Sequence, residues 1–115
     1  MNAMPRISNR TYSRYTQEAI SLLGGLVRAG RIIRKLTAQE LASRAGISRD
    51  MLYRIEKGDP RCELGATFEV AAIVGVPLFE SELSRLSERN KAMDEKLSLL
   101  PKSVRKSKIE VKDDF

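Results

Sequence analysis

Of the residue types that do chemistry, this 115-residue chain keeps few. It contains no histidine, one cysteine (Cys62), and 21 Lys and Arg against 15 Asp and Glu. Losing histidine removes the commonest general base and the commonest metal ligand. No nucleophile–base pair or paired-carboxylate arrangement can be placed, so hydrolysis lacks its parts. Catalysis, metal binding and an organic cofactor are therefore not expected. A single thiol rules out an internal disulfide, and lone thiols are more often inert than redox switches.

What remains is cationic chemistry, and it is unevenly placed. Residues 28–61 hold nine Lys and Arg against four Asp and Glu, whereas residues 62–100 are net acidic. A local surplus of this kind, within an overall charge of +6, implies an anionic partner, nucleic acid before membrane surface. No run approaches the roughly 18 apolar residues of a membrane span. The basic N-terminus followed by the glycine-interrupted segment Ile20 to Val27 does not read as a signal peptide. A reducing, cytoplasmic setting is expected.

The elements that must position these cations read as helices. From about Thr16, Ile20, Leu23, Val27, Ile32 and Ile33 recur at helical spacing, with Gly24, Gly25 and Gly30 as either close-packing or tolerated weak points. Thr37-Ala-Gln-Glu40 has the form of a capping box and starts a helix at Ala38. Gly46 ends that helix near Ala45, and Ser48 caps another that runs to Lys57. Leu41, Ala45, Ile47, Leu52 and Ile55 face inward between these two helices, with Ala42 at their closest approach. Two helices locked at a steep angle leave the second projecting, the geometry that fits an α-helix into a DNA major groove. A further helix follows, with Leu64, Phe68, Ala71 and Val74 inward, and ends at Gly75.

From Phe79 to Leu100, the residues Phe79, Leu83, Leu86, Asn90, Met93, Leu97 and Leu100 alternate spacings of four and three. This is a heptad seam with Asn90 at an a position and Arg89 and Asp94 placed as a g to e pair between chains. Leu83, Leu86, Asn90, Met93 and Leu97 are thus candidate dimerisation residues, the alternative being a helix packed on its own domain. Residues 1–14 read as a flexible basic arm, 15–79 as the main domain, 80–100 as a C-terminal helix and 101–115 as a flexible basic tail.

The stretch "LTAQELASRAGISRDMLYRIEKG", residues 36–58, resembles the helix-turn-helix of the Xre and Cro family of phage and bacterial repressors, with looser likeness over residues 20–79. Together with "LLGGLVRAGRIIRKLTAQELASRAGISRD", "RIEKGDPRCELGATFEVAAIVGVPLFE" and the ending "LPKSVRKSKIEVKDDF", it resembles the HipB-like antitoxins, usually encoded beside HipA-like kinase toxins. The resemblance implies an all-α, five-helix, lambda-repressor-like helix-turn-helix domain with a long N-terminal helix and an extra C-terminal helix. It implies a homodimer that binds palindromic double-stranded DNA as an autoregulatory repressor.

Carried over position by position, it places Arg49, Asp50 and Arg54 toward base edges, where arginine pairs with guanine and aspartate accepts from cytosine. Ser48, Tyr53, Lys57, Arg44 and Gln39 would contact the DNA backbone. Many members carry glutamine where this chain has Ala38, so that contact is missing or comes from Gln39. Glu56 is read as structural. The tail's Asp113, Asp114 and Phe115 would dock on the kinase partner. The other readings are a module that neutralises a partner kinase without specific DNA binding, and a stand-alone phage-type repressor. RNA binding is disfavoured because only three Tyr and three Phe are present for base stacking.

Overall fold

Ser13 starts the first helix by accepting a hydrogen bond from the Thr16 amide at 3.2 Å. Helix α1 then runs Arg14–Ile33 in the computed structural model, which describes residues 11–106. It thus begins two residues before the periodicity suggests, within the segment read as an arm. Residues 1–10, and the tail residues Asp113, Asp114 and Phe115, lie outside the described residues.

The other helices are α2 (Ala38–Ala45), α3 (Arg49–Glu56), α4 (Leu64–Ile73) and α5 (Leu83–Ser98). The all-α expectation holds. Two compact units divide the chain, residues 1–78 and 79–115.

In the first unit α1 packs on α3 and α4, and α2 packs on α3 and α4. Its core is Val27, Leu41, Ala42, Leu52, Ile55, Ala66, Val70, Ala71 and Val74. Burying each of the larger aliphatic side chains contributes about 1.5–3 kcal/mol. Ala45 and Ile47 line the edge of this core, half-buried.

Two glycines let the helices approach. A Cβ on Gly24 would meet the carbonyl oxygens of Ile55 at 2.5 Å and Glu56 at 2.9 Å, and one on Gly30 would meet that of Val74 at 2.9 Å. Gly25 has nothing within 4 Å. Close packing is therefore the role of Gly24 and Gly30, but not of Gly25.

Three expectations need correction. In α1 the buried stripe is Gly24, Val27 and Gly30, while Ile32 and Ile33 are exposed. In α4 the inward stripe is Ala66, Val70 and Ala71, while Leu64 is exposed and Phe68 half-buried. The segment "LGATFEVAAI" is apolar on nearly every side, so periodicity could not fix its phase. Phe79 does not extend the seam of α5: it lies before the helix with a left-handed φ of 74°, and it is exposed.

The second unit is built around α5. None of its residues is buried, Asn90 included, and Leu86 alone among the seam residues is half-buried. Arg89 pairs with Glu80 at 3.1 Å and donates to the Phe79 carbonyl, so within the chain it holds the segment before the helix.

Candidate nucleic-acid interface

The connection between α2 and α3 is short because both ends are capped. Thr37 accepts from the Glu40 amide at 3.0 Å, and Glu40 accepts from the Thr37 amide at 2.8 Å, closing the capping box. Hydrogen bonds to the carboxylate from the Thr37 amide, foremost, and from the Thr37 side chain hold the Glu40 carboxyl below its ordinary range. Gly46 takes a left-handed φ of 72°, which turns the chain at no steric cost. Ser48 then caps α3, its hydroxyl accepting from the Met51 amide at 3.0 Å.

Leu52 and Ile55 anchor α3 in the core. Helical geometry therefore puts Arg49, Asp50, Tyr53 and Lys57 outward, and all four are exposed. Lys57 sits 5.4 Å from the centroid of the Tyr53 ring, a cation–π contact. Arg49 makes no ion pair or side-chain hydrogen bond among the described residues, which leaves its guanidinium fork open to an external acceptor.

Arg54 is held differently. Its Nε donates to Asp59 at 3.1 Å, and its Nη1 lies 4.0 Å from Asp50. Asp59 in turn accepts from the Arg61 amide at 2.9 Å and the Arg61 side chain at 3.2 Å. The Arg61 amide, then the Arg61 side chain and Arg54, pull the Asp59 carboxyl from 3.8 down to about 2. Arg54 is thus a buttressed cation at the edge of the exposed face. Asp50, whose charge opposes phosphate, has Arg54 beside it as its compensating cation.

Of the remaining expected positions, Gln39 lies on the outer side of α2 and donates to the Ser43 hydroxyl at 3.2 Å, and Arg44 is exposed near the end of the same helix. The length of α3 and the start of α2 flank a groove of about 860 Å³ bounded on its other side by α1. Arg28, Arg31, Arg49, Tyr53, Glu56 and Lys57 line it.

Sequence reasoning missed the residues that fix this groove. Arg31 of α1 donates to Glu56 of α3 through Nε at 2.7 Å and Nη2 at 3.1 Å, and through Nη1 to the Leu36 carbonyl at 3.1 Å. The side chains are 14% and 8% exposed. The hydrogen bond to Glu56 raises the Arg31 pKa further above its usual value. Arg28 lies 3.9 Å from the same carboxylate and is largely exposed. The available signal was a charge on the same helix face as Gly24 and Val27, answered by an acid next to buried Ile55.

A family model described as a helix-turn-helix domain matches residues 22–86, more than half of the chain. The chain belongs to this helix-turn-helix domain family. The five helices of the described residues are consistent with a lambda-repressor-like fold, with α2 and α3 as the motif. No curated protein and no solved structure matches the chain. Among the described residues, no helix is long and apolar enough to cross a membrane. Burial raises the Cys62 thiol pKa, which keeps it protonated and poorly nucleophilic.

Proposed function

We propose that this helix-turn-helix protein is a sequence-reading transcriptional repressor that binds palindromic double-stranded DNA as a homodimer in the cytoplasm. The observation that carries this is the outer face of α3. Arg49, Asp50, Tyr53 and Lys57 stand exposed on a helix whose position is fixed by core packing and by Glu56. Such a helix fits the major groove, where Arg49 would donate both arms of its fork to a guanine and Asp50 would accept from a cytosine. Arg54 would reach a base or phosphate at the groove edge from its Asp59 support. Gln39, Arg44, Ser48, Tyr53 and Lys57 would hold phosphates, Ser48 through the amides of the α3 N-terminus rather than its already bonded hydroxyl.

The exposed face of α5 supports the dimer. A 16-residue helix that buries none of its own residues gains little from tertiary packing, and Leu83, Leu86, Asn90, Met93 and Leu97 form a seam for a second copy. The likeness of the flanks and tail to HipB-like antitoxins extends the reading to autoregulation and neutralisation of a HipA-like kinase. No catalytic step is proposed.

The test is binding of the purified protein to the DNA upstream of its own gene, beside scrambled DNA of equal length, at two salt concentrations. Preference for its own promoter that survives the higher salt is the expected result. Equal binding to both, erased by salt, would leave a basic surface without readout and favour a protein-interaction module instead.

A further inference from the structure

The core does not use the outward face of α1. About a third of the way round the helix from the buried stripe of Gly24, Val27 and Gly30 lie Tyr15, Ala19, Leu22, Leu26, Ala29 and Ile33, all exposed. Their spacings alternate four and three, the rhythm of a helix-pairing seam, and none carries a charge. Tyr15 is 85% exposed, Leu22 64%, Leu26 45% and Ile33 74%. Beside them Gly25, Arg28, Ala29, Ile32 and Ile33 shape a shallow hollow on the same helix.

This seam has a symmetry that names its occupant. Leu22 and Leu26 are equidistant from position 24, and so are Ala19 and Ala29, and Tyr15 and Ile33. A second α1 laid antiparallel across a two-fold axis at the level of Gly24 meets each of these residues with its mirror-related counterpart. Leucine then packs on leucine, alanine on alanine, and the ring of Tyr15 on Ile33. Large residues fill the centre and both ends, while the alanines between them let the helix axes close to packing distance. A self-complementary patch of this kind is the requirement of an isologous interface.

We propose that α1 is a self-pairing surface, joining two copies of this chain as an antiparallel helix pair through Tyr15, Ala19, Leu22, Leu26, Ala29 and Ile33. Each copy contributes on the order of 500 Å² of mostly apolar surface, which places the pair near the roughly 1,000 Å² that a specific interface needs. Charge does not oppose it: Arg28, beside the hollow, is turned toward the Glu56 carboxylate at 3.9 Å. The nearest acid on this face, Glu18, is already paired with Arg14 at 3.1 Å. The seam shares no residue with the outer face of α3, so the interface stands whether or not the DNA-binding reading holds.

The experiment is light scattering on the full chain after size exclusion, comparing the wild type with Leu22→Glu/Leu26→Glu, with circular dichroism to verify folding. The number of chains per particle is expected to halve in the variant. Any contribution of α5 is common to both proteins and cancels. An unchanged particle mass, or a monomeric wild type, overturns the proposal. Cross-linking tests the geometry even if the charged variant unfolds. In a Cys62→Ser background, Ala19→Cys/Ala29→Cys oxidised with copper phenanthroline should give covalent dimers, whereas Ala19→Cys alone should not, because positions 19 and 19 lie apart in the antiparallel pair. No dimers from the double variant, or equal dimers from the single one, would overturn it.

Discussion

Arg31 and Glu56, 25 residues apart in sequence, close a two-pronged ion pair of 2.7 and 3.1 Å that ties α1 to the C-terminal end of α3. Because both side chains are nearly buried, each is useful only while the other is present. Removing one partner leaves a desolvated charge, and such losses run to about 3–5 kcal/mol for fully buried pairs. The slight exposure here puts Glu56→Gln and Arg31→Met at about 2–3 kcal/mol each. Replacing both should cost much less than the two losses added, because no charge is then stranded. Urea denaturation of the four proteins checks this, and strictly additive losses would show that the pair does not act as a unit.

Gly24 and Gly25 are neighbours with opposite expectations. A methyl group on Gly24 would run into the backbone oxygens of Ile55 and Glu56 and push α1 off α3. Gly24→Ala should therefore destabilise by about 1–3 kcal/mol, as overpacking does. Gly25→Ala meets nothing and replaces a poor helix former, so it should stabilise by about 0.5–1 kcal/mol. Thermal melts decide it, and a destabilised Gly25→Ala would mean that its open side is not open in solution.

What could be read from the sequence was local. Thr37, Glu40, Gly46 and Ser48 announce the helix ends because capping is decided within four residues, and Leu41, Leu52 and Ile55 announce the core because their spacing repeats. Contacts between distant segments left no such trace. Arg31 meets Glu56, and Gly24 meets the carbonyl of Ile55, only after α1 and α3 have docked. The inward phase of α4 was hidden by apolar residues on several of its sides, and the left-handed Phe79 by the fact that phenylalanine rarely adopts that backbone. In the candidate interface, Arg49 stands as open as its position suggested, whereas the support of Arg54 by Asp59 depends on a turn that periodicity does not describe.

That turn has a pH dependence. Asp59 is held at about 2 by the Arg61 amide, the Arg61 side chain and Arg54, below its ordinary 3.8. Because the folded-state value is the lower one, Asp59 contributes stability that is fully present above pH about 4 and is lost as the pH falls toward about 2. The stability gap between wild type and Asp59→Asn should be widest near neutral pH and shrink through this window. Urea midpoints measured from about pH 5 down to about pH 2 test it, and a constant gap would remove Asp59 as the titrating group.

Arg49 and Lys57 share the exposed face of α3 but differ in what their geometry can read. Arg49, at the first turn and without a partner among the described residues, can present two parallel donors to one guanine. Lys57, at the other end and resting on Tyr53, offers a compact charge suited to any phosphate. Arg49→Ala should therefore relax base preference at one position per half-site by about 1–3 kcal/mol while leaving binding to random DNA nearly unchanged. Lys57→Ala should weaken specific and random DNA alike and reduce the slope of log affinity against log salt by about 1. Titrations of both variants on operator and scrambled duplexes across a salt series separate the two effects. Equal losses on both duplexes for both variants would mean that α3 supplies charge without reading sequence, and the assignment of Arg49 would fall first.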